Sequence, residues 1–139
     1  QLGGNYEVRG ALEGLAARLA AQHAAPEEVA VLEDMIAEDE AHRDDPDALS
    51  RANKRFHRQI HLASHNRFLI RQLEGVRRSM ALLTSTSFAA EGRTPEALAE
   101  HKSIVAAIRA RDGAAADDAM CAHISAAYRT RLRVDAEEA

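Results

Sequence analysis

Aromatic residues are scarce in this chain: they make up 4% of its 139 residues, and tryptophan is absent. Only three prolines and seven glycines interrupt the sequence, so long stretches contain no residue that breaks a helix. No stretch alternates apolar and polar residues as a half-buried strand would. Strong helix formers, above all Ala, Leu, Arg and Glu, recur instead. The composition predicts an all-α domain, and the length is sufficient for one domain with its own core.

An excess of basic charge is also missing. The chain has 18 Lys and Arg residues against 22 Asp and Glu residues, which gives a formal net charge of -4 and a pI near 6.0. A free-standing DNA-binding domain normally has a basic face and a basic pI. We therefore expect that this segment does not itself contact nucleic acid.

Cys121 is the only cysteine. It cannot form an internal disulfide, so we expect a small buried side chain in a cytoplasmic protein. The sequence has neither a secretory signal nor an apolar run of membrane length, and no membrane association is expected. The first five residues read as a linker, which suggests a fragment of a longer chain.

Apolar spacing and capping signals predict about six helices in an antiparallel bundle with short loops. Pro26, Pro46 and Pro95 each stand where a first-turn proline is tolerated, and Asp45 and Thr94 precede two of them as caps. The predicted helices span about 6–22, 26 to the polar run 42–45, 46–64, 66–84, 94–112 and 114–133. Residues 84–93 are predicted to form a loop, and the tail 135–139 is expected to fray.

The first helix carries large apolar residues on one stripe. Val8, Leu12, Leu15 and Leu19 recur at the spacing of a single helix face. We expect this stripe to face the core, with Arg9 on its flank.

Three of the seven histidines, His57, His101 and His123, lie on the predicted inward faces of three different helices. Asn53 stands one turn before His57, so its amide oxygen and the imidazole are neighbours. Buried polar groups need partners, and one shared metal ion would satisfy all three rings. The spacing leaves two alternatives open, a shared metal site or three core histidines bonded to their neighbours. His61 is a weaker candidate for the same site.

Four segments resemble a known family in their order and spacing. They are EVRGALEGLAA at 7–17, FHRQIHLASHNRFL at 56–69, EHKSIVAAI at 100–108 and MCAH at 120–123. Together they resemble the FCD domain, the C-terminal effector-binding domain of GntR-type transcription regulators of the FadR subfamily. The resemblance implies a helical bundle over residues 1–139 that binds an effector and forms a homodimer. It also implies that DNA is bound by a winged helix-turn-helix domain that precedes such a domain and is absent from this chain.

The resemblance also implies a metal site. Metal-binding members of the family use an Asp and three histidines, which correspond here to His57, His101 and His123, with Asn53 at the position of the Asp. An amide oxygen is a neutral and weaker ligand than a carboxylate. The implied cofactor is one divalent transition metal, most simply Zn or Ni, and the implied effector is a small carboxylate.

Two further residues are predicted to bind the effector. Arg9 is the predicted anchor, because a guanidinium grips a carboxylate with two parallel hydrogen bonds. The alternative is an ion pair between Arg9 and Glu13, four residues further along the same helix. Asn66 is predicted either to reach the same pocket or to cap a helix.

Two other functions remain as alternatives, and we expect neither. A metal-dependent enzyme of the di-iron type would need Glu-x-x-His pairs, and no histidine here follows a Glu by three residues. A metal hydrolase would need a carboxylate base, but Glu100 is predicted to point away from its neighbour His101. The remaining alternative is a purely structural dimerisation domain with no metal and no effector.

Overall fold

The computed structural model of the protein describes residues 2–80, 88, 90 and 92–138. Within these ranges the chain is helical with connecting turns and has no strand. The helices are α1 (Leu2–His23), α2 (Pro26–Ala41), α3 (Pro46–Ala63), α4 (Arg67–Met80), α5 (Arg93–Arg109) and α6 (Gly113–Glu138). The predicted all-α bundle of six helices is confirmed. None of the described helices is long and apolar enough to cross a membrane.

Helices α2 and α3 begin at the prolines that the sequence indicates. Pro26 and Pro46 are their first residues. The side chain of Asp45 accepts a hydrogen bond from the backbone N–H of Ala48 at 3.1 Å, so it caps α3 as predicted. The chain turns between α3 and α4 at His65, whose φ is 54°.

The two ends of the described chain are helical, contrary to prediction. Residues 2–5 belong to α1 and residues 135–138 belong to α6. The two segments lie side by side: the rings of Tyr6 and Tyr128 stack with centroids 4.8 Å apart, and Gly3 lies against the Tyr128 hydroxyl. An ion pair between Arg131 and Asp135 at 3.1 Å further supports the last turns of α6.

The predicted cap at Thr94 is also wrong. Helix α5 begins one residue earlier, at Arg93, after Gly92 with a φ of 76°, a conformation that glycine adopts without strain. The Thr94 hydroxyl instead donates to the carbonyl oxygen of Phe88 at 3.4 Å. Most of the predicted loop 84–93, and the predicted extension of α4 from 81 to 84, lie outside the described residues.

Helices α1 and α6 run antiparallel and form the most extensive helix pair of the bundle. Gly10 lies opposite Ile124, and Gly14 lies opposite Cys121 and Asp117. A Cβ at position 14 would lie too close to the side chains of both α6 residues, which would have to move to admit any residue other than glycine. The buried face of α1 also consists largely of small residues, namely Ala16, Ala17, Ala20 and Ala21.

Two predictions about the core are wrong. Val8 is 52% exposed and Leu15 is 39% exposed, whereas only Leu12 and Leu19 of the predicted stripe pack against the core. The alanine face allows α1 to approach its neighbours closely, so two of the larger side chains stay outside. Cys121 is exposed rather than buried. Partial desolvation of its thiol, together with a hydrogen bond to Asp117, raises its pKa to about 11.

Candidate metal centre

The three histidines on predicted inward faces meet in the interior. Helices α3, α5 and α6 bring His57, His101 and His123 together, and all three side chains are buried. The Nε2 atom of His123 lies 3.3 Å from Nε2 of His57 and 3.3 Å from Nε2 of His101. One nitrogen from each ring lies within 4.8 Å of the other two. The residues are therefore close enough to share one ion.

An apolar frame keeps these imidazoles neutral. The His101 ring stacks on Phe56 with centroids 4.3 Å apart, and Ile60, Ile104 and Met120 are fully buried on the same three helices. Burial lowers the pKa of His57 to about 4 and holds the pKa of His101 well below its ordinary value. Neutral imidazole is the form that binds a metal.

Two carboxylates contact the far nitrogens of two of these rings. Oε1 of Glu100 lies 2.6 Å from Nδ1 of His123, and Oε1 of Glu13 lies 3.4 Å from Nδ1 of His57. Glu13 is itself buried and is also 2.6 Å from Nε2 of His61. Burial opposes ionisation, but hydrogen bonds from His123 and Arg93, with the charge of Arg93, lower the pKa of Glu100 to about 2.

The carboxylates decide where each imidazole carries its hydrogen. An ionised carboxylate only accepts hydrogen bonds, so Nδ1 of His57 and Nδ1 of His123 must donate. The Nε2 atom of each ring then carries a lone pair, and the two lone pairs face each other at 3.3 Å. A cation between the rings would turn this repulsion into ligation, and a histidine that ligates a metal commonly donates its other N–H to a carboxylate. The donor set fits a metal ion.

Two buried side-chain polar atoms have no hydrogen-bond partner within the described part of the chain. One is Oδ1 of Asn53, one turn before His57 on α3. The other is Nδ1 of His101, which lies 4.0 Å from Oδ2 of Asp39. An unsatisfied buried oxygen costs about 1–3 kcal/mol, and coordination to an ion would offset that cost. The orphaned Asn53 oxygen is thus consistent with the predicted ligand set.

The carboxylates are the part of the site that the sequence analysis missed. Glu100 was considered only in relation to its neighbour His101, but it reaches across to α6 and contacts His123. Glu13 on α1 carries no local signal, because its partners lie 44 and 48 residues further along the chain. Asp39 is similarly brought to His101 from α2. Only the relative placement of the helices shows these contacts.

The two predicted effector-binding residues have local partners. Arg9 lies 3.7 Å from Glu13, which is the alternative ion pair, yet its charge also acts on His57 and His123. Oδ1 of Asn66 accepts from the backbone N–H groups of Phe68 and Leu69 at 3.1 and 3.0 Å, so this side chain caps α4. Binding of an effector by Arg9 and Asn66 remains a prediction.

Comparisons with known proteins agree with the resemblance in the sequence. Among curated proteins, the chain is 34% identical over 125 residues to the galactonate operon transcriptional repressor of Escherichia coli, with 88% of this chain and 54% of that protein covered. It is 30% identical over 123 residues to the uncharacterized HTH-type transcriptional regulator YdhC of Bacillus subtilis, with 86% and 55% covered. The chain therefore spans about half the length of these relatives.

Solved structures show the same fold. A GntR protein of Streptococcus agalactiae superposes with a TM-score of 0.74 at 28% identity, over 92% of this chain and 58% of that one. The E. coli protein McbR/YncC superposes with a TM-score of 0.81 at 18% identity, over 96% and 65%, which bears on the fold alone. The family model described as the FCD domain matches residues 5–126. Because that match covers most of the chain, the protein belongs to the FCD domain family.

Proposed function

We propose that this chain is the metal-dependent effector-sensing domain of a DNA-binding transcription regulator and that its effector is a small carboxylate. The observation that carries the proposal is the convergence of three buried imidazole nitrogens, two of them on rings whose other nitrogen donates to a carboxylate. His57, His101 and His123 would bind one divalent ion such as Zn or Ni, with Asn53 as a fourth ligand. The ion would supply positive charge and open coordination positions that a carboxylate oxygen can fill.

The charges around the site favour an anionic effector. All four proposed ligands are neutral, and the two contacting carboxylates already have cationic partners: Glu13 has Arg9 at 3.7 Å, and Glu100 has Arg93 at 2.7 Å. Asp39 is not in hydrogen-bond contact with the cluster, because its Oδ2 atom lies 4.0 Å from Nδ1 of His101. A divalent ion here would keep most of its charge, and a buried charge without compensation is costly.

One relative offers a specific probe. Its name, galactonate operon transcriptional repressor, contains that of a sugar acid, which combines one carboxylate with several hydroxyls. We propose ligands of this hydroxy-acid class for the present domain. Arg9 would then exchange its contact with Glu13 for a two-bond contact to the effector carboxylate.

The test is a calorimetric titration of galactonate, and of other hydroxy- and dicarboxylic acids, into metal-loaded and metal-stripped protein. Metal and acid should raise each other's affinity by the same factor. Arg9→Ala should weaken acid binding without lowering metal content. Arg9→Lys should restore only part of the loss, because an ammonium group cannot donate two parallel hydrogen bonds to a carboxylate. Equal affinity for the acid with and without metal would refute an effector bound at the ion.

We further propose that the domain forms a homodimer with two-fold symmetry and that DNA is bound by another part of the regulator. The two curated relatives are both named as transcription regulators, and neither name refers to catalysis. Sedimentation of the purified chain at micromolar concentration should give a dimer. A monomer, tight DNA binding by this segment at physiological salt, or turnover of a bound acid would each contradict this assignment.

A further inference from the structure

Arg93 is a buried cation at the start of α5. Its side chain is 3% exposed. Arginine is rarely buried to this extent unless it is paired with another group. Its Nη1 and Nη2 atoms donate to Oε2 and Oε1 of Glu100 at 2.9 and 2.7 Å. This is the two-bond geometry that fixes both the position and the plane of a carboxylate. The Glu96 carboxylate, at 3.5 Å, is a weaker second partner and is largely exposed.

The clamped Glu100 carboxylate points at one histidine. Its Oε1 atom accepts a hydrogen bond from Nδ1 of His123 at 2.6 Å. That bond requires the hydrogen of the neutral imidazole to be on Nδ1, so Nε2 carries the lone pair. Nε2 of His123 is also the atom that lies 3.3 Å from both other rings of the cluster.

We propose that Arg93 is a positioning residue of the histidine cluster: by holding Glu100, it fixes the orientation and tautomer of His123 and so presents Nε2 to a metal ion. The expected effect on metal affinity rests on the proposed function, whereas the contacts among Arg93, Glu100 and His123 do not. Partners of this kind behind a ligating histidine typically change metal affinity by about 10- to 100-fold when they are removed. Arg93 acts on His123 indirectly, through the carboxylate of Glu100.

A lysine at position 93 would not replace the arginine fully. An ammonium group is a point charge that can compensate Glu100, but it cannot form two parallel bonds in one plane. Arg93→Lys therefore separates the charge of the residue from its geometry. Glu100→Gln keeps the size of the side chain but removes the charge, and its amide can rotate to present N–H groups to His123.

The first measurement is metal affinity, by competition with a chelator, for wild type, Arg93→Lys and Glu100→Gln. Glu96→Gln is the matched control, because it removes the other carboxylate partner of Arg93 on the same helix without touching a histidine. We expect Glu100→Gln to weaken the metal about 10- to 100-fold, Arg93→Lys to weaken it by a smaller factor, and Glu96→Gln to leave it unchanged. Lower melting temperatures with wild-type metal affinity in both Arg93→Lys and Glu100→Gln would mean that the Arg93–Glu100 pair is merely structural.

The second measurement uses metal-free protein and records the side-chain nitrogen resonances of His123 by NMR. Wild type and Glu96→Gln should carry the hydrogen on Nδ1, whereas Arg93→Lys and Glu100→Gln should populate the other tautomer. A wild-type His123 with its hydrogen on Nε2, or an unchanged tautomer in both variants, would overturn the positioning role. If wild type binds no metal, the proposed function fails, and the tautomer data alone still decide whether Arg93 orients His123.

Discussion

The histidine cluster has two sides that are built from the same groups but arranged differently. On the α5–α6 side, Glu100 contacts one histidine, His123, at 2.6 Å and is held by two bonds from Arg93. On the α1–α3 side, Glu13 is divided between two histidines, at 3.4 Å from His57 and 2.6 Å from His61. A carboxylate with one imidazole fixes that ring, whereas a shared carboxylate fixes each ring less firmly.

His101 differs from both of the other histidines. Its Nδ1 atom has no hydrogen-bond partner within the described residues, and the Asp39 oxygen is 4.0 Å away. The ring is held by packing instead, with Phe56 stacked on it at 4.3 Å. His123 is thus oriented by a clamped carboxylate, His57 by a shared carboxylate and His101 by an aromatic face. Substitutions can test whether these differences matter for metal binding.

The largest effect should come from removing a ring. His57→Ala, His101→Ala and His123→Ala should each reduce metal content, measured by elemental analysis, to background. Loss of a bound ion also removes about 2.7 kcal/mol of stability when free metal is a hundredfold above its Kd, so chelation should lower the wild-type Tm. His65→Ala is the control, because His65 is exposed and pairs with Glu28 away from the cluster. Retention of metal in the His101 variant alone would show that the ring without a carboxylate is not a ligand.

Acid should destabilise the metal-free protein. The folded pKa of His57 is about 4 and its ordinary value is 6.5, so between these values the unfolded chain binds a proton that the folded chain does not. This contribution to stability is complete above pH 6.5 and is lost as pH falls toward 4. From pH 7.5 to 5.5, His57 should account for about 1.4 kcal/mol of lost stability.

Urea unfolding of wild type and His57→Gln at these two pH values measures that contribution. The variant should lose less stability on acidification than wild type does. Glu100, with a pKa of about 2, stays ionised throughout this range and does not contribute to the difference. An equal loss in both proteins would mean that His57 is not held neutral by burial.

A smaller gain is expected from a charge at position 53. Asn53→Asp places an anionic oxygen where the structure has an unpartnered buried amide oxygen, so metal should bind about tenfold more tightly, the equivalent of about 1.4 kcal/mol. Asn66→Asp makes the same chemical change at a helix cap, where Asp serves as well as Asn. Chelator competition should show tighter metal binding in the first variant only. Unchanged affinity in Asn53→Asp would remove residue 53 from the ligand set.

The sequence predicts the buried positions of the three histidines better than it predicts their surroundings. His57, His101 and His123 can be identified because each lies on the apolar stripe of its own helix, which is a local pattern. Glu13 and Glu100 cannot, because their contacts depend on how one helix is placed along another. That placement follows from close packing of small residues such as Gly14, which the large-residue stripe of α1 did not indicate. The same packing explains why the predicted inward positions of Val8 and Leu15 are wrong.

The smallest effect should come from the shared carboxylate. In Glu13→Gln the amide oxygen can still accept one hydrogen bond, and His61 competes with His57 for it. Because His57 is held only loosely in wild type, we expect metal affinity to fall by less than the roughly tenfold minimum that is typical of such partners. Glu100→Gln should lower metal affinity by about 10- to 100-fold, so the ratio of the two losses measures the difference between the two sides. A larger loss in Glu13→Gln than in Glu100→Gln would reverse the comparison and identify α1, rather than α5, as the helix that orients the site.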